Sequence, residues 1–132
     1  MRFCIDYRAL NARTVPDAFP LPHTGDVLDA MQGSEYFTTI DLKSGFWQLP
    51  MATDSIARTS FVVPDGQYEF TRMPFGLINA TATFQRAMTE ILQPLFHQGV
   101  RVFVDDIVIF VATIEELLER QGKPFELIRR AG

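Results

Sequence analysis

Two adjacent aspartates, Asp105 and Asp106, interrupt an apolar segment of the chain, RVFVDDIVIF at residues 101–110. Strand-forming segments do not usually carry two like charges at their centre, because neighbouring anions repel and partial burial strengthens the repulsion. A divalent cation would remove that penalty, and hard carboxylate oxygens suit Mg²⁺. The pair therefore indicates either a solvated turn between two buried strands or one part of a metal site.

A metal site of this kind needs a further carboxylate, and Asp41 is the candidate. It ends the strand-forming run FTTI and precedes LKSGF, a segment that contains a glycine. If that strand lies beside the 102–110 hairpin, Asp41 and Asp105 face each other on the sheet, which would suit phosphoryl transfer with two metal ions. From spacing alone such an aspartate is more often a strand-end cap, so both interpretations stay open.

The elements that must position these carboxylates alternate between strands and helices. Residues 35–42 predict a strand that ends near Asp41, and residues 101–110 predict strand, turn and strand with the two aspartates as the turn. A Pro-Asp-Gly turn between apolar and alternating segments predicts another hairpin over 60–73. This mixed order favours an α+β fold over a doubly wound parallel sheet.

Helical periodicity is clearest over residues 79–96, with Asn79 as the expected N-cap and Pro94 weakening the far end. Its apolar face consists of Phe84, Met88, Ile91, Leu92 and Leu95.

The remaining segments carry weaker signals. Short helices are predicted over 24–33, over one turn at 54–60, and on both sides of a Gly-Lys-Pro break within 113–130. Residues 2–11 alternate as a strand does, and 15–23, with three prolines, is predicted to be extended and irregular.

The bulk composition is that of a folded globular domain, with 132 residues, 47% of them hydrophobic and 21% charged. The one cysteine, Cys4, excludes an internal disulfide. No apolar stretch has the length of a membrane span, and the N-terminal residues do not form a signal peptide. The net charge of −4 argues against a self-sufficient nucleic-acid binder, so such a function would rely on local basic groups or on other parts of a larger protein.

Three longer motifs, in a fixed order, resemble those of a known family. FTTIDLKSGFWQL, YEFTRMPFGLINATATFQRAM and VFVDDIVIF look like motifs A, B and C of reverse transcriptases, and most like those of gypsy-type LTR retrotransposon pol proteins. FCIDYRALN and FPLP are similar to the segment that precedes motif A in these enzymes. The resemblance covers nearly the whole chain, and it favours the metal-site interpretation of Asp105 and Asp106.

The resemblance implies a reverse-transcriptase palm, an antiparallel sheet packed on helices, with a partial fingers region. The chain would be a single domain fragment, with fingers at about 1–35 and 52–75 interleaved with palm at about 36–51 and 76–132, and without thumb, connection or RNase H. Its activity would be RNA-directed DNA polymerisation, which adds a dNTP to a primer 3′-OH on an RNA or DNA template. The remainder of a pol polyprotein, including thumb, RNase H and integrase, would be a further partner. No membrane is expected, and the location would be intracellular, in the cytoplasm or in virus-like particles.

Catalytic roles follow from the same resemblance. Asp41 and Asp105 match the family's aspartates that bind both catalytic Mg²⁺ ions, for which Mn²⁺ can substitute. Asp106 completes the acidic triad with a less direct role. The backbone carbonyl of Leu42 would help to bind the metal ion on the nucleotide side.

The resemblance also implies contacts to phosphate and template. Arg2 matches an arginine of the fingers that grips the triphosphate. Ser44 and Gly45 would offer backbone N–H groups to it, as a small anion-binding nest. Asp6 and Arg8 fall in the stretch that supports the template strand.

Around the nucleotide, Phe46 falls where the family keeps an aromatic steric gate against a 2′-OH, and Phe75 and Gly76 match residues that line the pocket. Two departures from the family pattern stand out. Phe103 replaces the usual tyrosine of motif C, and Thr81 replaces a proline at a helix start, which costs a little stability.

Two other functions stay open. The chain could be an inactive retroelement remnant, acting at most as a nucleic-acid or protein binding module. It could also be an unrelated Mg²⁺ hydrolase, although neither His23, after a proline-rich segment, nor His97, at the end of the long helix, is an obvious general base.

Overall fold

The computed structural model describes residues 4–132 and divides the chain into two compact units. The first unit runs to Ala18 and resumes over Ser44–Phe84, and the second consists of Phe19–Lys43 and Gln85–Gly132. The strands, numbered in chain order, are β1 (Tyr36–Asp41), β2 (Phe61–Val63), β3 (Gly66–Tyr68), β4 (Val100–Phe103) and β5 (Asp106–Val111). The helices are α1 (Arg8–Asn11), α2 (Thr24–Ala30), α3 (Gly45–Gln48), α4 (Ala80–Leu92), α5 (Ile114–Arg120) and α6 (Lys123–Ala131), with 3₁₀ turns over Ile56–Thr59 and Gln93–Gln98.

The first unit contains the β2–β3 hairpin, which closes through the predicted Pro-Asp turn, with Val63 paired to Gly66. The Phe61 ring stacks on Tyr68 across the hairpin, with their centroids 6.0 Å apart. In the same unit, the buried Tyr7 donates a hydrogen bond from its hydroxyl to the Thr59 carbonyl at 3.1 Å. Residues distant in the sequence thus share one small core.

The second unit is built on a three-stranded antiparallel sheet in the order β1-β5-β4. The central strand β5 alternates between buried and more exposed residues from Asp106 to Ile109, with Ile107 and Ile109 fully buried, and its last two residues, Phe110 and Val111, are both buried. Helix α5 packs on β1 and β5. This arrangement makes β5 the most constrained strand of the unit, and β5 begins at Asp106.

Most sequence predictions of secondary structure are confirmed: both hairpins, the irregular 15–23 segment, the helix over 24–33, the break within 113–130 and the α+β class. The long helix is confirmed over Ala80–Leu92, and a 3₁₀ turn containing Pro94 follows it.

Two local predictions are wrong. The strand predicted over 2–11 is, in its described part, irregular chain followed by helix α1, which begins where Asp6 accepts the Arg8 backbone N–H at 3.0 Å. The turn at the aspartates lies one residue earlier than predicted, on Val104 and Asp105, because Phe103 pairs with Asp106. Across residues 4–132, no helix is long and apolar enough to cross a membrane.

Candidate active site

Two of the three aspartates lie side by side on one face of the sheet. In the register of β1 and β5, Asp41 is directly opposite Asp106. Directly opposed residues on antiparallel strands point to the same face with Cβ atoms about 4.5–5.5 Å apart, and like charges so placed repel. Both side chains are exposed, so a cation can reach them from solvent.

The third aspartate, Asp105, is fixed to the end of β1. Its backbone carbonyl accepts a hydrogen bond from the Leu42 N–H at 3.0 Å, and its carboxylate atom Oδ1 is buried. The expected pairing of Asp41 with Asp105 is therefore replaced by a pairing of Asp41 with Asp106. The backbone carbonyl of Asp105 instead binds the backbone N–H of Leu42, the residue that follows Asp41.

This donor set fits a Mg²⁺ ion that keeps part of its shell for other ligands. Among the described residues, no three Asp, Glu, His or Cys side chains form a cluster that could hold a metal ion. Mg²⁺ commonly binds through one or two carboxylates, with waters and substrate phosphates completing its octahedron. The opposed Asp41 and Asp106, with Asp105 nearby, suit a Mg²⁺ ion that takes its remaining ligands from water and substrate.

The residues expected at the nucleotide form an aromatic cluster in the first unit. The ring of Phe46 lies 5.3 Å from Phe75 and 5.4 Å from Phe84 between centroids, and Trp47 lies 5.7 Å from Phe75. These rings contact at tilted or edge angles, which are favourable for aromatic pairs. The half-buried Phe46 therefore contacts two other aromatic rings.

Before this cluster the backbone turns sharply. Ser44 has a φ of 55°, in the left-handed region, and Gly45 next to it is buried. The Ser44 carbonyl accepts a hydrogen bond from the Trp47 N–H at 3.0 Å, which starts helix α3. Asp41 and Leu42 belong to the second unit, and Ser44 and Gly45 belong to the first.

Gly76, the other expected pocket residue, is favoured by its backbone conformation rather than by lack of space. Its φ is +92°, whereas a Cβ there would meet the Tyr7 ring at an ordinary contact distance of 3.6 Å. The Asn11 side chain binds the backbone of this segment both as a donor and as an acceptor. Its amide donates to the Gly76 carbonyl at 2.8 Å, and its Oδ1 accepts from the Ile78 N–H at 2.9 Å.

Asn11→Ala is expected to lower the free energy of unfolding by about 1–3 kcal/mol, because two hydrogen bonds to the backbone are lost. Hydrogen exchange of the Ile78 amide would locate the effect, since that amide loses its acceptor. Asn79→Ala is the matched control: Asn79 binds the backbone of Val15 and Asp17, so Ile78 should stay protected in it. If the Ile78 amide were equally protected in Asn11→Ala and Asn79→Ala, the hydrogen bond from Ile78 to Asn11 would be contradicted.

The template-side candidates pair with each other. Arg8 Nη2 lies 2.6 Å from Asp6 Oδ2, with both side chains largely exposed. The side-chain and backbone hydrogen bonds from Arg8 lower the pKa of Asp6 to about 2. An exposed pair of this kind contributes little to stability. Arg2 lies outside the described residues.

Sequence reasoning missed one residue of this region, Gln85. It is fully buried, and its Oε1 accepts the Val104 N–H at 2.6 Å in the turn that carries Asp105. The available signal was a polar residue on the apolar face of α4, three positions before Met88 and seven before Leu92.

Comparison with known proteins decides the family. The model of the family "Reverse transcriptase (RNA-dependent DNA polymerase)" matches residues 1–132. The chain belongs to the reverse transcriptase family. The retrovirus-related Pol polyprotein from transposon 297 of Drosophila melanogaster is 49% identical to it over 117 residues, which is 89% of this chain and 11% of that protein. The chain therefore spans about a tenth of the length of such polyproteins.

Other members of the reverse transcriptase family support the same placement. The Pol polyprotein from transposon gypsy, also of Drosophila melanogaster, is 44% identical over 83% of this chain and 10% of its own length. The foamy viral protease-reverse transcriptase, solved in complex with double-stranded DNA, superposes with a TM-score of 0.88 at 33% identity over 99% of this chain and 23% of its own. The predicted gypsy-type affiliation and palm-type α+β fold are thus confirmed.

Proposed function

We propose that this chain carries the polymerase centre of a reverse transcriptase, which extends a primer 3′-OH with a dNTP on an RNA or DNA template. The observation that carries the proposal is the pairing of Asp41 with Asp106, with Asp105 in the adjoining turn, in a chain that matches the family along its full length. A pair of opposed carboxylates open to solvent on one side has little structural benefit without a cation. In nucleotidyl transfer, carboxylates of this kind bind divalent cations, and the cations in turn bind the phosphates of the substrate.

In this proposal the acidic residues provide the metal ligands. Asp41 and Asp105 would each bind both ions, Asp106 would complete the negative charge, and the Leu42 carbonyl would bind the ion on the nucleotide side. When bound, two Mg²⁺ ions would activate the primer hydroxyl and stabilise the leaving pyrophosphate. The hydrogen bond between Leu42 and Asp105 keeps these two ligand residues in fixed relation.

In the same proposal, residues of motifs A and B would supply the nucleotide contacts. Phe46 would exclude a ribose 2′-OH, and its two neighbouring rings, Phe75 and Phe84, restrict the motion that would weaken such a gate. Gly76 would line the pocket beside Phe75. The triphosphate would meet Arg2 and the backbone N–H groups of Ser44 and Gly45.

The proposal extends to partners and domains. The template and primer would contact Asp6 and Arg8, and the foamy viral relatives were solved with double-stranded DNA and with an RNA/DNA hybrid. Further parts of a pol polyprotein, such as thumb, RNase H and integrase, would complete the grip on nucleic acid. Fingers would correspond to about 1–35 and 52–75, and palm to the rest.

The test combines Mn²⁺ binding with primer extension on poly(rA)/oligo(dT) for the wild type and Asp41→Asn. We expect Asp41→Asn to weaken Mn²⁺ binding by about tenfold or more, because ligand charge sets affinity for hard cations. The matched control is Asp65→Asn, which makes the same chemical change in the turn of the β2–β3 hairpin, where asparagine also forms turns readily. Extension should stop in Asp41→Asn and persist in the control.

Unchanged Mn²⁺ affinity in Asp41→Asn would refute the proposed metal centre. Metal binding by the wild type without extension would instead favour the binding-module alternative for the isolated chain, with polymerisation requiring other parts of the polyprotein.

A further inference from the structure

The turn that carries Asp105 has an unusual backbone. Val104 is the first of the two residues between Phe103 and Asp106, and its φ is 52°. A two-residue hairpin turn with a positive φ at this position normally has glycine there. For a β-branched residue a positive φ is a strained conformation, which persists only where the surroundings impose it.

The side chain of Gln85 binds this strained backbone directly. This glutamine on α4 is completely buried, and its Oε1 accepts a hydrogen bond from the Val104 N–H at 2.6 Å. Its Nε2 donates to the Val102 carbonyl and to Thr89 Oγ1, both at 3.2 Å. One side-chain amide therefore connects the last part of β4, the turn and the helix.

We propose that Gln85 is a positioning residue of the acidic centre, which holds Val104 in its left-handed conformation and thereby sets the place of the Asp105 carboxylate. The inference rests on the proposed function, since it gives Asp105 a ligand role. Asp105 follows Val104 directly, so a change in the Val104 backbone would turn the Asp105 peptide away from Leu42. The hydrogen bond from Leu42 N–H to the Asp105 carbonyl reports this position.

The chemistry of the site favours glutamine over its nearest alternatives. The position needs an acceptor for Val104 N–H and a donor for the Val102 carbonyl on one side chain. A glutamate would offer no donor when ionised and would bury a charge, methionine offers neither partner, and asparagine is one methylene shorter.

The test is a double-mutant cycle of Gln85→Met and Val104→Gly, read by hydrogen exchange and by Mn²⁺ affinity. Gln85→Met keeps the volume and removes all three hydrogen bonds of the side-chain amide. We expect it to lower the protection of the Leu42 amide and to weaken Mn²⁺ binding by about 10-fold to 100-fold, as is usual for residues that orient metal ligands.

Adding Val104→Gly to Gln85→Met should restore much of the Mn²⁺ affinity and of the Leu42 protection, because glycine adopts a positive φ without strain. If Gln85 contributed only to general stability, the Mn²⁺ affinity and the Leu42 protection would be as low in the double variant as in Gln85→Met. If Gln85→Met does not fold, folding of the double variant is the expected rescue, and failure of both to fold would overturn the proposal.

Thr89→Val is the control, since it removes only the contact of Gln85 within the helix. Its Mn²⁺ affinity should stay near that of the wild type. If the wild type binds no Mn²⁺, the proposed function fails, and the Leu42 protection in the cycle still decides the role of Gln85. Unchanged Leu42 protection in folded Gln85→Met would overturn the proposal.

Discussion

Asp105→Asn is expected to lower the rate of nucleotide incorporation by about a thousandfold or more, because the loss of metal-mediated charge stabilisation is worth several kcal/mol of barrier. Asparagine has nearly the shape of aspartate, so the turn should keep its hydrogen bond from Leu42 N–H to the carbonyl of residue 105. The substitution also removes one of three neighbouring negative charges. The free energy of unfolding of the metal-free chain should therefore stay within about 1 kcal/mol of the wild-type value.

Single-nucleotide incorporation, beside urea unfolding of the same preparations, measures both quantities. Asp54→Asn is a suitable control, because Asp54 is exposed and accepts a hydrogen bond from the adjacent Ser55 hydroxyl. An unchanged incorporation rate in Asp105→Asn would remove Asp105 from the catalytic centre. A rate lost together with the fold would show instead that the carboxylate is needed for the turn.

The position of these aspartates shows what local sequence can predict. Strand, turn and strand over 101–110 follow from apolar runs interrupted by polar residues, and Asp41 marks the end of its own strand. The turn itself falls on Val104 and Asp105 although valine is a poor turn residue. The decisive hydrogen bond comes from Gln85, 19 positions away, and no local pattern contains it.

The same limit applies to the first unit. Helix α1 occupies residues that alternate as a strand does, and the Asn11 at its end binds the backbone 65 and 67 positions later. Such contacts are tertiary, so periodicity does not reveal them. The proposed steric-gate role of Phe46 likewise depends on the family motif alone, since without that motif the phenylalanine suggests an ordinary core residue.

The largest effect on stability is expected from Gly99→Ala. Gly99 has a φ of +77° just before β4, and a Cβ there would lie 2.1 Å from the Phe110 carbonyl oxygen. That oxygen belongs to the backbone of β5 and cannot move aside alone. Gly99 also accepts the Phe110 N–H at 2.8 Å, so the close approach is part of the sheet's hydrogen bonding. We expect a loss of about 4 kcal/mol or more, the range in which single substitutions unfold domains.

Urea unfolding and hydrogen exchange of the β5 amides measure this loss, with Gly25→Ala as the matched control. Gly25 lies in α2 with nothing within 4 Å of an added Cβ, so alanine there should be neutral or stabilise by up to about 1 kcal/mol. A Gly99→Ala protein with wild-type stability would contradict the contact with Phe110.

A folded Gly99→Ala protein with a shifted β4–β5 pairing would be informative in another way. A slip of one residue turns every side chain of a strand to the opposite face. Any slip that β5 shared would take Asp106 away from its place opposite Asp41, and Mn²⁺ affinity would fall although neither carboxylate had been changed. The metal site would then depend on the register of the sheet, and Gly99 would contribute to the site through that register alone.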